Sequence, residues 1–164
     1  MDVRRLTESD GPLLDGLFAR CTEFFQLVQG CAPAGGDGPS ALEERPHDCA
    51  PELKHTFGLF QGDRLEGAID MLLGFPEPTI WYIGLLIPAP SARGQGLGAE
   101  VVTALGRWAA AQGAEALRIA VVAHNTRGLA FWRRRGFEDL YTVENHEMGN
   151  LSNTVFVMGL GVAP

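Results

Sequence analysis

The sequence predicts an α/β (α+β) domain built on a mixed, mostly antiparallel twisted sheet with helices on both faces. Three observations predict it. Two apolar segments, residues 55–60 and 65–73, flank the hairpin signal Gln61-Gly62-Asp63-Arg64. A glycine-rich turn over residues 93–98 joins a third apolar run to a helical pattern. Strand-like and helix-like segments then alternate, as crossover helices on a sheet do. At 164 residues and 46% hydrophobic content, the chain has enough apolar material for one core, so residues 1–164 are expected to form one domain.

In chain order, a short opening strand precedes candidate N-caps Thr7, Ser9 and Asp10. A helix follows, with Leu13, Leu14, Leu17, Phe18, Phe24, Phe25 and Val28 at mostly helical spacing. Residues 30–51 are rich in Gly, Pro and Ala and read as a long excursion; what precedes them is too short to fold alone, so they are not a domain linker. After the hairpin, Gly74-Phe75-Pro76-Glu77-Pro78 turns the chain into a strand over 80–87. Beyond the loop over 88–98, Val101, Val102, Leu105, Trp108 and Ala109 mark one side of a helix that Gly113 ends. A strand over 116–123 comes next. Asn125 or Thr126 then caps a short helix stopped by Gly136, and residues 141–143 and 154–158 close the sheet.

The segment 91–137 carries seven arginines against Glu100 and Glu115, a net +5, while the remainder carries six basic against eighteen acidic residues. A net charge of −7 disfavours nucleic acid, and one basic segment on an acidic body suits a small anion there and a cationic substrate elsewhere. No stretch reaches the roughly 18 apolar residues of a membrane helix. Cys21, Cys31 and Cys49 form no CxxC pair, and Cys31, His47, Cys49 and His55 lack metal-ligand spacing, so no metal is expected. A soluble, cytoplasmic protein without a membrane partner is the expectation.

Arg93-Gly94-Gln95-Gly96-Leu97-Gly98 is the strongest local signal. Glycines there let backbone approach a ligand, and free N–H groups at a helix start attract a diphosphate. A P-loop would need Lys followed by Ser/Thr, which is missing. Gly94-x-Gly96-x-x-Ala99 formally meets the permissive dinucleotide fingerprint, but residues 88–93 intervene after the strand and no acid ends the next one.

The run from Leu85-Leu86-Ile87-Pro88 through Arg93-x-x-Gly96-x-Gly98, followed by Asn125, a helix, Phe131-Trp132 and Gly136-Phe137, resembles the GNAT acetyltransferase superfamily. The resemblance covers residues 80–137. It implies a V-shaped split between the central strands, in which acetyl-CoA lies. Loop amides of Arg93, Gly94, Gln95, Gly96, Leu97, Gly98 and Ala99 would hold the diphosphate. Leu86, Ile87 and Pro88 would line the pantetheine arm, closed on the other side by Asn125, Phe131 and Trp132. Pro88 offers no N–H.

The implied reaction moves acetyl to a primary amine of a small molecule or peptide by direct attack in a ternary complex. Many relatives place an acidic tyrosine where Trp132 stands, and an indole cannot act so. A catalytically silent acyl-CoA-binding module is therefore the alternative, with a nicotinamide-binding domain as a third reading. Tyr82, Asp70, Glu23 and His124 are candidate bases. The acceptor would enter near Glu23, Phe24, Phe25 and the 30–51 segment, and two copies could pair through the C-terminal strands.

Overall fold

A computed structural model describes residues 1–163. Twelve regular elements follow in order: β1 (Asp2–Arg5), α1 (Gly11–Arg20), α2 (Thr22–Gln29), α3 (Asp37–Glu43), β2 (Lys54–Gln61), β3 (Arg64–Leu73), β4 (Ile80–Pro88), α4 (Leu97–Ala111), β5 (Ala116–Val122), α5 (Thr126–Arg134), β6 (Glu138–Met148) and β7 (Leu151–Gly161). The strands form one sheet in the order β1-β2-β3-β4-β5-β7-β6, with β4 and β5 parallel and every other neighbouring pair antiparallel. No helix among the described residues is long and apolar enough to cross a membrane.

Each face of the sheet buries its own core. Ile69, Met71, Trp81, Ile83, Leu117 and Met158 meet Val102 and Leu105 of α4 and Leu129 and Trp132 of α5 on one side. On the other, Ala68 and Ile87 meet Leu14, Leu17 and Phe18 of α1 and Phe25 of α2. The β2–β3 hairpin turns at Gly62, whose φ of 59° suits the first central position of a two-residue turn.

Three expectations need correction. The first helix is interrupted at Cys21, which leaves helical dihedrals (φ −107°, ψ 27°), while Thr22 Oγ1 donates to the Ala19 carbonyl. A side chain that bonds backward in this way competes with the helix ladder. The 30–51 segment is not an unpacked excursion, because α3 lies within it. Asp15 of α1 accepts hydrogen bonds from Gly36 N (3.1 Å) and Gly38 N (2.7 Å), capping α3 from its neighbour. Gly38 packs so closely on α1 that an added Cβ would lie 2.6 Å from Asp15 N. That glycine serves close helix approach. Finally, the closing strands are eleven residues each. The pattern reading caught only residues 141–143 of β6 because it is an edge strand exposed along nearly all its length, so burial imposes no alternation on it.

Candidate functional site

The parallel pairing of β4 with β5 runs from Ile80↔Ala116 to Ile83↔Ile119 and stops, although β4 continues to Pro88 and β5 to Val122. The two strands therefore part like a V. The cause lies in β4 itself. Asp70 faces Leu85 and Met71 faces Ile83, so Gly84 is an extra residue in the ladder, a β-bulge. The bulge also reverses which side chains face which core: Trp81 and Ile83 point to α4 and α5, but Leu85 and Ile87 point to α1 and α2. A groove of about 1700 Å³ runs through the split. That exceeds the several hundred cubic ångströms of an ordinary small-ligand pocket and leaves room for a long ligand and a second reactant. Every residue expected to contact the cofactor lines it except Gln95.

One end of the groove is the loop between β4 and α4. Its base is fixed by buried Glu66 of β3: the Glu66 carbonyl accepts from Ala89 N (2.8 Å), and its carboxylate accepts from Ser91 Oγ (2.7 Å) and pairs with Arg64 (2.8 Å) and Arg20 (3.5 Å). The Ser91 hydrogen bond, with the two arginines, holds this carboxyl below the usual glutamate range. Gly94 and Gly96 sit at φ 74° and 83°, and a Cβ on either would meet nothing within 4 Å. Gly96 is the N-cap of α4, and no side chain caps the N–H groups that follow. Open space thus faces free amides. Arg93 does not point there, since its Nε donates to the Pro88 carbonyl at 3.2 Å. Gln95 likewise turns back to the Ser91 carbonyl (2.7 Å).

Across the groove, Asn125 caps α5 by accepting from Gly128 N at 3.0 Å. Phe131 lies against the first turn of α4, where a Cβ on Gly98 would be 3.1 Å from its ring. Trp132 is 5% exposed, edge-on to both Phe131 and Phe137 at 5.0 Å between ring centroids, so it is a core side chain with one edge on the groove.

The other end holds the polar residues. Asp70 Oδ1 accepts from Thr56 Oγ1 (2.9 Å) and pairs with buried Lys54 Nζ (2.7 Å), which also donates to the Glu44 carbonyl at the end of α3 (2.7 Å). Oδ2 faces the bulge, 2.7 Å from where a Cβ on Gly84 would stand. Burial pushes this carboxyl above the usual aspartate value, against the pull of Lys54 and Thr56. Tyr82 is half-buried beside it on β4, its phenol raised by burial, then by Tyr141, and opposed by Arg118. The remaining two candidates lie elsewhere. Glu23 is exposed at the rim, 4.0 Å from Arg93. His124 bonds the Leu27 carbonyl and Asn153 the Val28 carbonyl, so the two grip the last turn of α2.

Sequence reasoning missed Lys54, Thr56, Glu66 and the bulge. Only the bulge carried a local signal, a glycine inside the apolar run 80–87. Lys54, Thr56 and Glu66 are brought to the site by cross-strand register and by α3, which no local pattern reports.

Residues 21–137 match the model of the acetyltransferase (GNAT) family. Comparison with curated proteins finds no match. Among solved structures, the chain is similar to an acetyltransferase from Thermus thermophilus (28% identity, 98% of this chain and 96% of that one, TM-score 0.76). It shares its fold with the ribosomal-protein-S18-alanine N-acetyltransferase of Escherichia coli (15%, 99% and 94%, 0.72). The same holds for a spermidine N-acetyltransferase chimera from Vibrio cholerae (13%, 98% and 96%, 0.72).

Proposed function

The chain belongs to the GNAT acetyltransferase family, and from that premise we propose that it moves the acetyl group of acetyl-CoA to a primary amine by direct attack in a ternary complex. The observation that carries this reading is the parting of β4 from β5 beside an uncapped glycine loop, which leaves strand edge and free amides along one groove. Acetyl-CoA supplies an activated thioester. The amides of residues 94–99 hold its diphosphate at the start of α4. The open edge of β4 at Leu86 and Ile87 pairs with the pantetheine amides as an added strand would, while Pro88 contributes only a carbonyl. Asn125, Phe131 and the edge of Trp132 close the opposite wall.

Asp70 is the base of this mechanism. Its Oδ1 is occupied by Lys54 and Thr56, Oδ2 takes no side-chain hydrogen bond and faces the bulge, and burial favours uptake of a proton from the incoming ammonium. Tyr82, with a raised phenol pKa, stays protonated at neutral pH and acts as a hydrogen-bond donor and wall. N–H groups on the edge of β4 beyond Ile83, where pairing with β5 stops, stabilise the charge that develops on the carbonyl oxygen. A thiol titrates near 8.5, so the thiolate departs without an acid at the Trp132 position. Glu23 lends negative charge to the rim, which favours approach of a cation. The acceptor is a small-molecule or peptide amine.

Trp132 favours one competing reading, a silent acyl-CoA-binding module. The test is thermal stabilisation by acetyl-CoA, CoA and NADH, followed by thiol release against a panel of amines. Stabilisation by the CoA species with amine-dependent thiol release supports transfer. Stabilisation without release across the panel favours the silent module, and stabilisation by NADH alone overturns both.

A further inference from the structure

Among the described residues, one buried side-chain nitrogen or oxygen has no hydrogen-bond partner: Nε of Arg118 on β5. Leaving a buried polar atom unpaired is costly, so such an atom calls for a physical reason. Arg118 also takes part in no ion pair among the described residues, although the chain carries an excess of acid. Glu138 stands in the same row of the sheet, beyond Gly159 of β7, and the two do not pair.

The register says where this cation faces. Leu117 and Ile119 flank Arg118 and lie in the core under α4 and α5, so alternation turns Arg118 to the opposite face of the sheet. Asp70 and Tyr82 face the same way, since Ile69, Met71, Trp81 and Ile83 flank them in that core. Arg118 is level with Tyr82 in the parallel ladder, and Tyr82 is level with Leu72, two residues from Asp70. Two strand spacings of about 4.8 Å and two residues of about 3.4 Å set the Arg118 and Asp70 Cα atoms roughly 12 Å apart. Tyr82, on the groove wall, stands between them. Arg118 is close enough to draw the Tyr82 phenol downward, against the effect of burial. Beyond Arg118, Leu140 rests over Gly159, where a Cβ would lie 2.9 Å from its Cδ1. The acceptor end of the groove thus has a proton acceptor at one end of a row, an uncommitted guanidinium at the other, and a phenol between.

Resting on the transfer reading above, we propose that Arg118 binds a carboxylate of the acceptor, which is an amino acid or short peptide whose amine reaches Asp70 while its carboxylate lies beside Tyr82. A guanidinium suits this task because its forked donors match the two carboxylate oxygens, and Nε is one of those donors. Acceptors with a cation at both ends are disfavoured, since the second cation meets Arg118.

The experiment is acetyl-CoA-dependent thiol release by the native chain, Arg118→Met and Arg118→Lys, each shown folded by its melting transition. Free amino acids and dipeptides are each run against their C-terminal carboxamides, which keep the amine and lose the negative charge. The native chain is expected to favour the carboxylate of a pair by roughly ten- to hundredfold in kcat/KM, most of it in KM. In Arg118→Met the ratio within a pair falls to about one, and Arg118→Lys, a point charge without the fork, keeps part of it. A preference shown by free amino acids alone, or by dipeptides alone, supports the proposal and says which is the acceptor. Equal native kcat/KM within every pair, or weakening of both members in Arg118→Met with their ratio kept, would overturn the proposal while leaving transfer to amines standing. Stabilisation of the chain by acetyl-CoA with no thiol release from any acceptor would overturn the transfer reading with it.

Discussion

Removing the Asp70 carboxylate charge should slow the reaction far more than it distorts the site. Asp70→Asn keeps the shape and the oxygen that accepts from Thr56. It deletes the proton acceptor, and loss of a positioned base typically costs at least about a hundredfold in rate. It also strands Lys54, whose side chain is 6% exposed. Breaking a buried pair costs about 3–5 kcal/mol. The low end applies because Lys54 keeps the Glu44 carbonyl, so about 3 kcal/mol, or a fall in Tm of roughly 6–12 °C for a chain of this size, is expected. Lys54→Met separates the two effects. With the cation gone, the Asp70 carboxyl rises further, so the acid limb of kcat/KM moves to higher pH, whereas Asp70→Asn abolishes that limb. Stability follows the same sign in Lys54→Met: with no cation beside it, ionised and buried Asp70 opposes folding there, and that variant gains stability as pH falls through the raised pKa of the carboxyl. The Lys54→Met/Asp70→Asn double variant removes both charges and regains part of the lost stability. The assay is thiol release across pH 4–9 on samples shown folded by their melting transitions. A folded Asp70→Asn variant within about threefold of the native rate, or an acid limb that stays put in Lys54→Met, would refute the base assignment.

Other consequences follow from single contacts. Asn125→Ala removes the cap on Gly128 N and should cost about 1 kcal/mol, seen as a Tm lower by about 2–4 °C in thermal melts. Gly98→Val places carbon within 3.1 Å of the Phe131 ring, pushes α5 from α4, and should weaken acetyl-CoA binding in titrations by roughly tenfold. Glu66 has a lowered pKa, so the stability it contributes is present above the ordinary glutamate value and lost as pH falls through its own. Acid melts should therefore flatten in Glu66→Gln.

Much of this fold was legible because its signals are local. The hairpin at Gly62, the helix after Gly96 and the caps at Asn125 and Gly113 each follow from one or two residues whose backbone or side chain leaves few options. The loop and its aromatic wall were legible as a motif. What escaped depends on partners distant in sequence. α3 is capped by Asp15, some twenty residues before it, and its glycines resemble those of a loop. Glu66 holds Ser91 across a strand pair, and Lys54 meets Asp70 only through β-register. Arg118 stands beside Tyr82 only because β5 pairs in parallel with β4, which no short window of sequence contains.

Titration of acetyl-CoA into the native chain and into Gly96→Glu tests the account at its centre. Gly96 holds φ 83° with open space before it, so the substitution adds strain and sets a carboxylate at the proposed diphosphate site. The account predicts saturable binding by the native chain and a loss of roughly a hundredfold or more in the variant, about 3 kcal/mol for a carboxylate set against the diphosphate. Unchanged affinity in a folded Gly96→Glu protein would contradict it.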